Sequence, residues 1–463
     1  MTHDARKLLC LVAWAVVAPT SAMGALTEQE ASTLGLTGTP LTPFGAIRAG
    51  NADGSIPAWT AGLDHVESKV ARDGQDRYID PFVDDVPLFS ITASNYEQYA
   101  ENLTAGQKQM FRVHPDTFQM HIYPSRRSAS YPPRVYEATM ETARSAQLCG
   151  ERCIENTATG GGIPFPIPKN GLEVMWNRSL FYYGDHFKLR GHGILVAADG
   201  NYRLTDRAVN WNSYYYSPPE QKPTDPYFTR LGGGVTCFLE ENIAPPRTAG
   251  QLAAGCMYKQ NIDADAYMYI PGQRRVRKAP DFGFYDQPAP SSDGLITMDA
   301  RGAFMLTGDQ EWYDYKLHGR KEIYIPYNSY RLAAQTDFNE IVKPGHINQT
   351  LVRYELHRVW EIEAIIRPEF RHLSPRRFAY YDEDTWAGAI GDMYDAQGKL
   401  WRHSEEFLIN YYDVPMTDYW GTAHYDLLTG RYASITGWGP RDFDTGFEWY
   451  LATPQGLRKA GVR

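Results

Sequence analysis

The clearest alternation of apolar and polar side chains lies between residues 352 and 364. One set of alternate positions is largely apolar, with Arg358 as its interruption, and the intervening set is largely charged. A period of two over this length indicates a long β-strand with one face buried and the other in water. We therefore predict that the buried face carries the following side chains: Val352, Tyr354, Leu356, Trp360, Ile362 and Ala364.

Two tight turns follow this strand and predict consecutive hairpins. The first turn, at 382–385, lies between residues 376–381 and 386–394, and a second turn at 395–398 leads into residues 399–407. Strands at this spacing, joined by short polar turns, are typical of an antiparallel meander. No β-α-β alternation is present, which disfavours a doubly wound nucleotide-binding fold. The first turn carries three acidic side chains that we expect to be solvated: Asp382, Glu383 and Asp384.

Helical periodicity is confined to the first third of the chain. Residues Asn95–Met110 and Tyr136–Leu148 place apolar side chains three and four positions apart, among good helix formers. A short helix is also expected from Thr27, because Glu30 stands three residues later and completes a capping box. Thr104 is expected to cap a following turn. These helices are expected to cover a sheet.

The amino terminus has the layout of a secretory signal. Arg6 and Lys7 precede an apolar run over residues 8–18, and small residues follow it. The run is too short to span a bilayer comfortably, since about 20 apolar residues are needed. We predict cleavage after Gly24, with cleavage after Ala22 as the second choice, and an exported, soluble mature protein.

Four of the five cysteines lie outside this segment: Cys149, Cys153, Cys237 and Cys256. In an oxidising compartment, four thiols suggest two disulfides, and three connectivities are possible. Pairing of neighbours is favoured, because each bond would then close a loop inside a local unit. Free buried thiols and a metal site remain as weaker alternatives.

Composition and charge exclude several classes of function. The chain has 463 residues, of which 43% are hydrophobic and 13% aromatic, and its net charge is -9. An acidic chain without a basic domain is a poor nucleic-acid binder. The chain contains no phosphate-binding glycine loop, no His-Glu-x-x-His zinc motif and no Gly-x-Ser-x-Gly elbow. We therefore expect no catalytic residue, no cofactor and no metal site.

Two segments suggest binding surfaces. Prolines at 164, 166 and 168 delete the amide donors along one edge, so that the intervening Ile163, Phe165 and Ile167 form an apolar ridge. This ridge is either the rim of a hydrophobic cavity or an edge guard packed on the core. A second segment concentrates positive charge in an acidic protein: Arg274, Arg275, Arg277 and Lys278. These side chains would meet phosphate head groups or an acidic partner, or they are a solvated strand end.

Several segments together resemble the DUF1329 family. They are the stretches Leu41–Trp59, Gly162–Pro168, Gln273–Arg277 and Tyr354–Trp360. The resemblance implies an exported Gram-negative protein without an established biochemical role, so no catalytic residues can be carried over. The family is similar in turn to LolA/LolB-like outer-membrane lipoprotein-sorting proteins, a link carried here by residues 269–277 and the turn at 394–401.

This resemblance implies an α+β fold with a large curved antiparallel β-sheet. The sheet would be an unclosed half-barrel whose concave face is covered by helices and forms an apolar pocket. After removal of residues 1–24, residues 25–463 would form a single domain. Residues 25–171 would be a turn-rich and helical part and 172–463 mainly a β meander. Four side chains of the long strand are candidates for the pocket lining: Tyr354, Leu356, Trp360 and Ile362.

The favoured function is a periplasmic carrier of lipid or another hydrophobic molecule, with a peripheral position at the outer membrane as an option. The family resemblance also implies two partners, a DUF1302 outer-membrane protein and an RND-type transporter. The alternatives are a structural or adaptor subunit of an envelope transport complex without cargo, and a secreted hydrolase. An outer-membrane barrel is least favoured, because the predicted helices do not fit it.

Overall fold

A computed structural model of the protein describes residues 24–63, 78–279, 288–289, 292–300, 311–434, 439–444 and 446–461. The predicted signal peptide lies outside the described residues except for Gly24. No helix within the described ranges is long and apolar enough to cross a membrane.

Eight α-helices and eighteen strands are described. The helices are α1 Glu28–Ala31, α2 Ala105–Val113, α3 Pro133–Thr142, α4 Gly171–Ser179, α5 Pro226–Thr229, α6 Tyr330–Ala334, α7 Phe338–Ile341 and α8 Pro454–Gly461. The first ten strands are β1 Phe89–Ile91, β2 Met120–Ile122, β3 Gln147–Gly150, β4 Cys153–Glu155, β5 His186–Val196, β6 Tyr202–Ser213, β7 Gly234–Ala244, β8 Leu252–Tyr258, β9 Asn261–Ile270 and β10 Arg275–Lys278. The remaining strands are β11 Tyr313–Pro326, β12 Tyr354–Ile366, β13 Arg376–Asp382, β14 Gly388–Tyr394, β15 Leu400–Tyr411, β16 Met416–Asp426, β17 Tyr432–Ser434 and β18 Arg441–Asp442.

Sixteen of these strands form one large sheet, and β3 and β4 form a separate hairpin. The strand order is β1-β2-β12-β13-β14-β15-β16-β17-β5-β6-β7-β8-β9-β10, with β11 paired to β12 and β18 to β5. All these pairs are antiparallel except the contact between β2 and β12. Within the described residues, no pairing joins β1 to β10, so the sheet is open. The predicted α+β class with a large, unclosed, mainly antiparallel sheet is confirmed.

The predicted hairpins are confirmed, whereas the helix bounds need correction. β13 pairs with β14 and β14 with β15, on either side of the two predicted turns. Thr27 and Glu30 form the predicted capping box of α1. The stretch 95–110 is not one helix, because Thr104 caps a new one there: a 3-10 helix at Tyr96–Asn102 precedes α2.

The second predicted helix, Tyr136–Leu148, is shifted along the chain. It begins at Pro133, whose fixed φ suits the first helical position, and it ends at Thr142. Leu148 lies in β3, which is fastened to β4 by the disulfide between Cys149 and Cys153. The helical spacing of apolar residues therefore continues in the sequence beyond the end of the helix, although residues 147–150 pair as a strand.

The two halves of the sheet are buried differently. Strand β12 was expected to be half-buried, but both of its faces are covered: Trp360 is 5% exposed and the adjacent Val359 is fully buried. Helix α4 packs on one face, where the Tyr381 hydroxyl donates to Met175 Sδ at 3.6 Å. Helix α2 packs on the other face, where Gly106 N donates to Asp392 at 2.8 Å. By contrast, β5 and β6 alternate between buried and more exposed positions.

The face covered by α4 is here called the inner face. Residues opposite each other in antiparallel pairs share a face, so the register follows this face across the sheet. From β12 to β10 it carries Ile362, Ala379, Gly391, Ser404, His424, Ala433, Leu195, Trp211, Phe238, Gly255, Ala266 and Arg277. The opposite face is called the outer face.

Candidate functional site

The predicted pocket lining on β12 is packed into the core. Tyr354 and Ile362 are fully buried, and Leu356 is 8% exposed. Trp360 stacks on Trp386 with ring centroids 5.7 Å apart. The Tyr354 hydroxyl donates to Glu405 at 3.0 Å. None of the three clefts described below is lined by the predicted lining residues.

The proline-rich ridge is also inside the protein and does not form a rim. Ile163 is fully buried and Phe165 is 1% exposed, both in the main core, while Ile167 packs on a small separate cluster. The Phe165 amide donates to Asn177 Oδ1 of α4 at 2.9 Å, and the Ile163 amide donates to Thr139 Oγ1 of α3 at 3.1 Å. The segment is therefore bonded to helix side chains and acts as neither a rim nor an edge strand.

The predicted basic cluster lies on β10, the last strand of the order, and is exposed. The register divides it between the two faces. Arg277 stands opposite Met268 and Arg275 opposite Ile270, so both belong to the inner face. Lys278 belongs to the outer face and pairs with Asp265 at 3.4 Å. Arg274 occupies the left-handed turn before the strand.

The second disulfide, Cys237–Cys256, joins directly opposed residues of β7 and β8. Both disulfides match the pairing of neighbours that the sequence favoured. Together they fit an exported protein.

A row of stacked aromatic rings crosses the inner face. The rings of Phe187 on β5 and Trp211 on β6 are 6.3 Å apart, and those of Trp211 and Phe238 on β7 are 6.0 Å apart. Both pairs are close to parallel, at 8° and 23°. Leu189 flanks Phe187, and Met268 packs beside Phe238. This row forms an apolar strip that leads towards Arg277.

A buried polar site, formed by Arg178, Glu406, Asp418 and Arg441, lies at the other end of the row. Arg441 pairs with Asp418 at 2.7 Å, and its guanidinium lies 4.9 Å from the Phe187 ring. Arg178, near the carboxyl end of α4, lies over Phe181 at 4.1 Å. Glu406 lies on β15 two residues after Ser404, so it is on the inner face as well, and it stands opposite Thr422 of β16. All four residues are at most 4% exposed.

Several polar atoms of this site have no hydrogen-bond partner within the described part of the chain. They are both carboxyl oxygens of Glu406, Nε and Nη1 of Arg178, and Oδ1 of Asp418. A buried polar group without a partner costs about 1–3 kcal/mol. Burial raises the pKa of Glu406 well above its ordinary value; Arg178 opposes this rise and Asp418 adds to it. The protonated, neutral carboxyl is therefore favoured, and the site is rich in hydrogen-bond donors.

The acidic turn at 382–384 is buried, so the expectation of a solvated turn is wrong. Asp382 is fully buried, and Glu383 and Asp384 are 2% and 6% exposed. Arg127 donates to both oxygens of Asp384, at 2.9 and 2.6 Å. Arg320 contacts Glu383 at 3.0 Å and Arg358 contacts it at 3.4 Å. Three arginines from distant parts of the chain thus neutralise the turn and make its burial possible.

Three clefts are described, and they lie away from both buried sites. The largest, about 770 Å³, lies on the outer face between β6–β8 and the carboxyl-terminal segment, with Leu239, Leu252 and Leu451 in its wall. A second, about 460 Å³, is lined by His114, His346 and neighbouring loop residues. A third, about 470 Å³, lies beside α2.

The sequence analysis missed Arg178 and Glu406. The sequence contains part of the evidence for this site, because Glu406 is an acidic residue within a predicted strand and is followed by the apolar residues Phe407 and Leu408. The partner, Arg178, lies 228 positions earlier on a helix, and no local pattern connects the two.

One sequence relative and two solved structures are similar to this chain. The chain is 40% identical over 454 residues to the uncharacterized protein PA3922 of Pseudomonas aeruginosa, and the match covers 96% of each chain. Among solved structures, it is similar to a DUF1329 family protein from Desulfovibrio piger, at 12% identity and a TM-score of 0.40, over 62% of this chain and 97% of that one. It is also similar to a domain from Vibrio parahaemolyticus described as an outer membrane lipoprotein-sorting protein, at 13% identity and a TM-score of 0.41, over 62% and 98% of the two chains.

A family model identifies the family of this chain. The model described as a protein of unknown function, DUF1329, matches residues 90–448, which include the aromatic row, the buried polar site and the acidic turn. The resemblance noted from the sequence motifs is therefore confirmed, and this chain belongs to the DUF1329 family.

Proposed function

We propose that this protein is a periplasmic carrier that binds a lipid or another hydrophobic molecule on the inner face of its sheet. One observation supports this most: the stacked row of Phe187, Trp211 and Phe238 ends at a buried site whose polar atoms have unused hydrogen-bonding capacity. An amphiphilic molecule has matching parts, an apolar chain and a polar end.

The dimensions of the inner face suit an acyl chain. Adjacent strands lie about 4.8 Å apart, so the four spacings from β5 to β9 span about 19 Å. An acyl chain in one leaflet of a bilayer occupies about 15 Å of hydrocarbon. Each buried methylene contributes about 0.8 kcal/mol, so an apolar strip of this length binds a chain without any conserved motif.

The polar site defines the other end of the cargo. Arg178 offers Nε and Nη1 as donors, and the carboxyl of Glu406, whose protonated form burial favours, offers a third when it is protonated. Asp418 is neutralised by Arg441. The site therefore suits a polar end that accepts hydrogen bonds, such as a carbonyl, carboxylate or phosphate oxygen.

The exposed arginines give the carrier a contact for delivery. Arg275 and Arg277 lie at the edge of the inner face, beside Met268 and Ile270. We propose that they, with Arg274 and Lys278, meet head groups or an acidic partner surface. The partners implied by the family resemblance, a DUF1302 outer-membrane protein and an RND-type transporter, are candidates for that surface.

The direct test is native mass spectrometry of the mature protein purified from the periplasm, followed by solvent extraction. We expect an adduct of a few hundred daltons that extraction removes and whose release leaves a folded protein. A clean apo mass that also ignores added fatty acids and phospholipids would refute the carrier.

A matched pair of variants tests the location of the cargo. Trp211→Ala removes the central ring of the inner row, whereas Trp449→Ala removes a ring that packs against Phe228 on the outer face. With a fluorescent fatty acid as probe, we expect Trp211→Ala to weaken binding at least tenfold and Trp449→Ala to leave it unchanged. Equal losses in both variants would place the cargo elsewhere.

The adaptor subunit without cargo is the second candidate. It is favoured by the packing of the predicted lining residues Tyr354 and Trp360 into the core. Pull-down of envelope partners without any co-purifying lipid would support it. The hydrolase alternative required acids and histidine in a cleft, and the buried pairs His357–Asp382 and His403–Asp392 line none of the three clefts described above.

A further inference from the structure

The buried acidic turn brings three metal-ligating side chains together. His357 of β12, Asp382 at the end of β13 and Asp384 of the turn each place a ligand atom within 4.8 Å of the other two. All three residues are buried, with exposed fractions of 1%, 0% and 6%. Among the described residues, no other group of three histidine, cysteine or acidic side chains meets this geometry.

The imidazole is oriented as it is in known metal sites. His357 Nε2 lies 3.1 Å from Glu355 Oε2, a carboxylate–histidine hydrogen bond that fixes the ring and directs the other nitrogen inward. The Tyr327 ring stacks on the imidazole with centroids 4.1 Å apart. His357 Nδ1 then faces Asp382 Oδ1 at 3.6 Å, which is longer than a hydrogen bond and close to the separation of two ligands of one ion.

The two carboxylates are also held from behind. Asp384 receives both of its hydrogen bonds from Arg127, and Asp382 Oδ2 receives one from the Thr385 hydroxyl at 2.8 Å. Ligating carboxylates are commonly fixed in this way by a second layer of donors. Each carboxylate keeps lone pairs available, because a carboxylate has about four acceptor positions.

Buried oxygen atoms without hydrogen-bond partners give further evidence for a ligand. The hydroxyls of Tyr327 and Tyr131 are buried, at 1% and 4% exposure of their residues, and neither has a hydrogen-bond partner within the described ranges. The Tyr327 ring stacks on the His357 imidazole, so this tyrosine lies directly beside the cluster. Asp382 Oδ1 is likewise without a hydrogen-bond partner. Asp382 therefore brings an unpartnered buried oxygen to the cluster, and Tyr327 packs against its histidine.

We propose that His357, Asp382 and Asp384 bind one divalent transition-metal ion. One imidazole nitrogen and two carboxylates are a donor set that suits Zn²⁺ or Mn²⁺. The site is closed, without a described cleft that reaches it, so the ion has a structural role. It would fasten the β13–β14 turn to β12, independently of any cargo on the inner face.

The test begins with the metal content of the protein. Mature protein purified without chelators is analysed by inductively coupled plasma mass spectrometry, and the chelated protein is then titrated with Zn²⁺ while its melting temperature is followed. We expect one ion per chain, and a rise of several degrees in Tm that chelator reverses. Protein that contains no transition metal, and whose Tm ignores Zn²⁺ and Mn²⁺, would overturn the proposal.

A matched pair of variants separates this site from adventitious binding. Asp382→Asn keeps the shape of the side chain and removes one ligand, whereas Asp392→Asn alters an equally buried carboxylate that is hydrogen-bonded to His403 at 2.8 Å. We expect the Zn²⁺-dependent shift to disappear in Asp382→Asn and to persist in Asp392→Asn. A shift that survives in Asp382→Asn would refute the assignment.

Anomalous diffraction at the zinc edge decides the matter if Asp382→Asn does not fold. Crystals of the unmodified protein grown with Zn²⁺ should show a peak between His357, Asp382 and Asp384. A peak only at surface histidines, or no peak, would contradict the proposal. Because cargo binding is measured separately on the inner face, either result leaves the carrier proposal standing.

Discussion

Arg127 offers the sharpest test of the buried ion-pair network. Its side chain is 3% exposed, donates to both oxygens of Asp384, and also donates to the carbonyls of Arg48 and Pro57, each at 3.3 Å. Replacing it with methionine fills a similar volume but leaves the Asp384 carboxylate buried without its counter-charge. Removing one partner of a buried pair costs about 3–5 kcal/mol, so we expect a loss of about 4 kcal/mol in the free energy of unfolding.

Arg126 provides the matched control, since it is the neighbouring residue and also pairs with an acid. Its side chain is 44% exposed and contacts Asp85 at 2.6 Å, so Arg126→Met should cost less than about 1 kcal/mol. Both variants are unfolded with urea at pH 7, with EDTA present so that no metal contributes, and followed by circular dichroism. Asp384→Asn added to Arg127→Met should recover at least half of the loss. Equal costs for the two methionine variants would refute the reasoning.

Three further outcomes follow from the structure. Burial lowers the pKa of His403, but Asp392 and Glu405 outweigh it and raise this pKa to about 9. Protonated His403 therefore contributes about 3 kcal/mol to the free energy of unfolding below pH 6.5, and this contribution is lost as the pH rises to 9. His403→Gln should flatten this part of the profile of unfolding free energy against pH. Gly106→Ala should melt the protein several degrees earlier, because its Cβ would lie 2.1 Å from both Asp392 Oδ1 and His403 Nδ1; no change in Tm would contradict that geometry. Replacing Cys237 and Cys256 with serine should lower the free energy of unfolding by about 3 kcal/mol, because the unfolded chain regains the entropy of a loop of 19 residues. Denaturant unfolding measures this loss, and a loss below about 1 kcal/mol would contradict the prediction.

The sequence predicted the local elements better than their burial. The turn at 382–385 was located correctly because its flanking strands alternate and its residues favour turns. Its burial was missed because the cations that neutralise it, among them Arg127 and Arg320, lie far away in sequence. Periodicity describes which side chains share a face, but it does not reveal that a second layer covers the polar face as well.

The same limit explains the misplaced pocket. Tyr354 and Trp360 alternate as the lining of a cavity would, but both are packed into the core, and α4 covers the face on which Trp360 lies. On β5 and β6 most inner positions are buried as well, among them Phe187, Leu189 and Val209, and the more exposed positions lie mainly on the outer face. The pattern identified a buried face and could not identify what covers it.

Strand β10 also has a consequence for the assembly state of the protein. It is the last strand of an open sheet within the described part of the chain, and an unprotected edge of this kind invites strand addition by a second molecule. Arg275 and Arg277 lie on the inner face of this edge strand and Lys278 lies on its outer face. Two copies aligned edge to edge would therefore bring like charges together. We therefore expect the arginines that we propose to meet an acidic partner to oppose self-association through this edge as well, and replacing them with threonine should produce oligomers on size-exclusion chromatography before it changes stability.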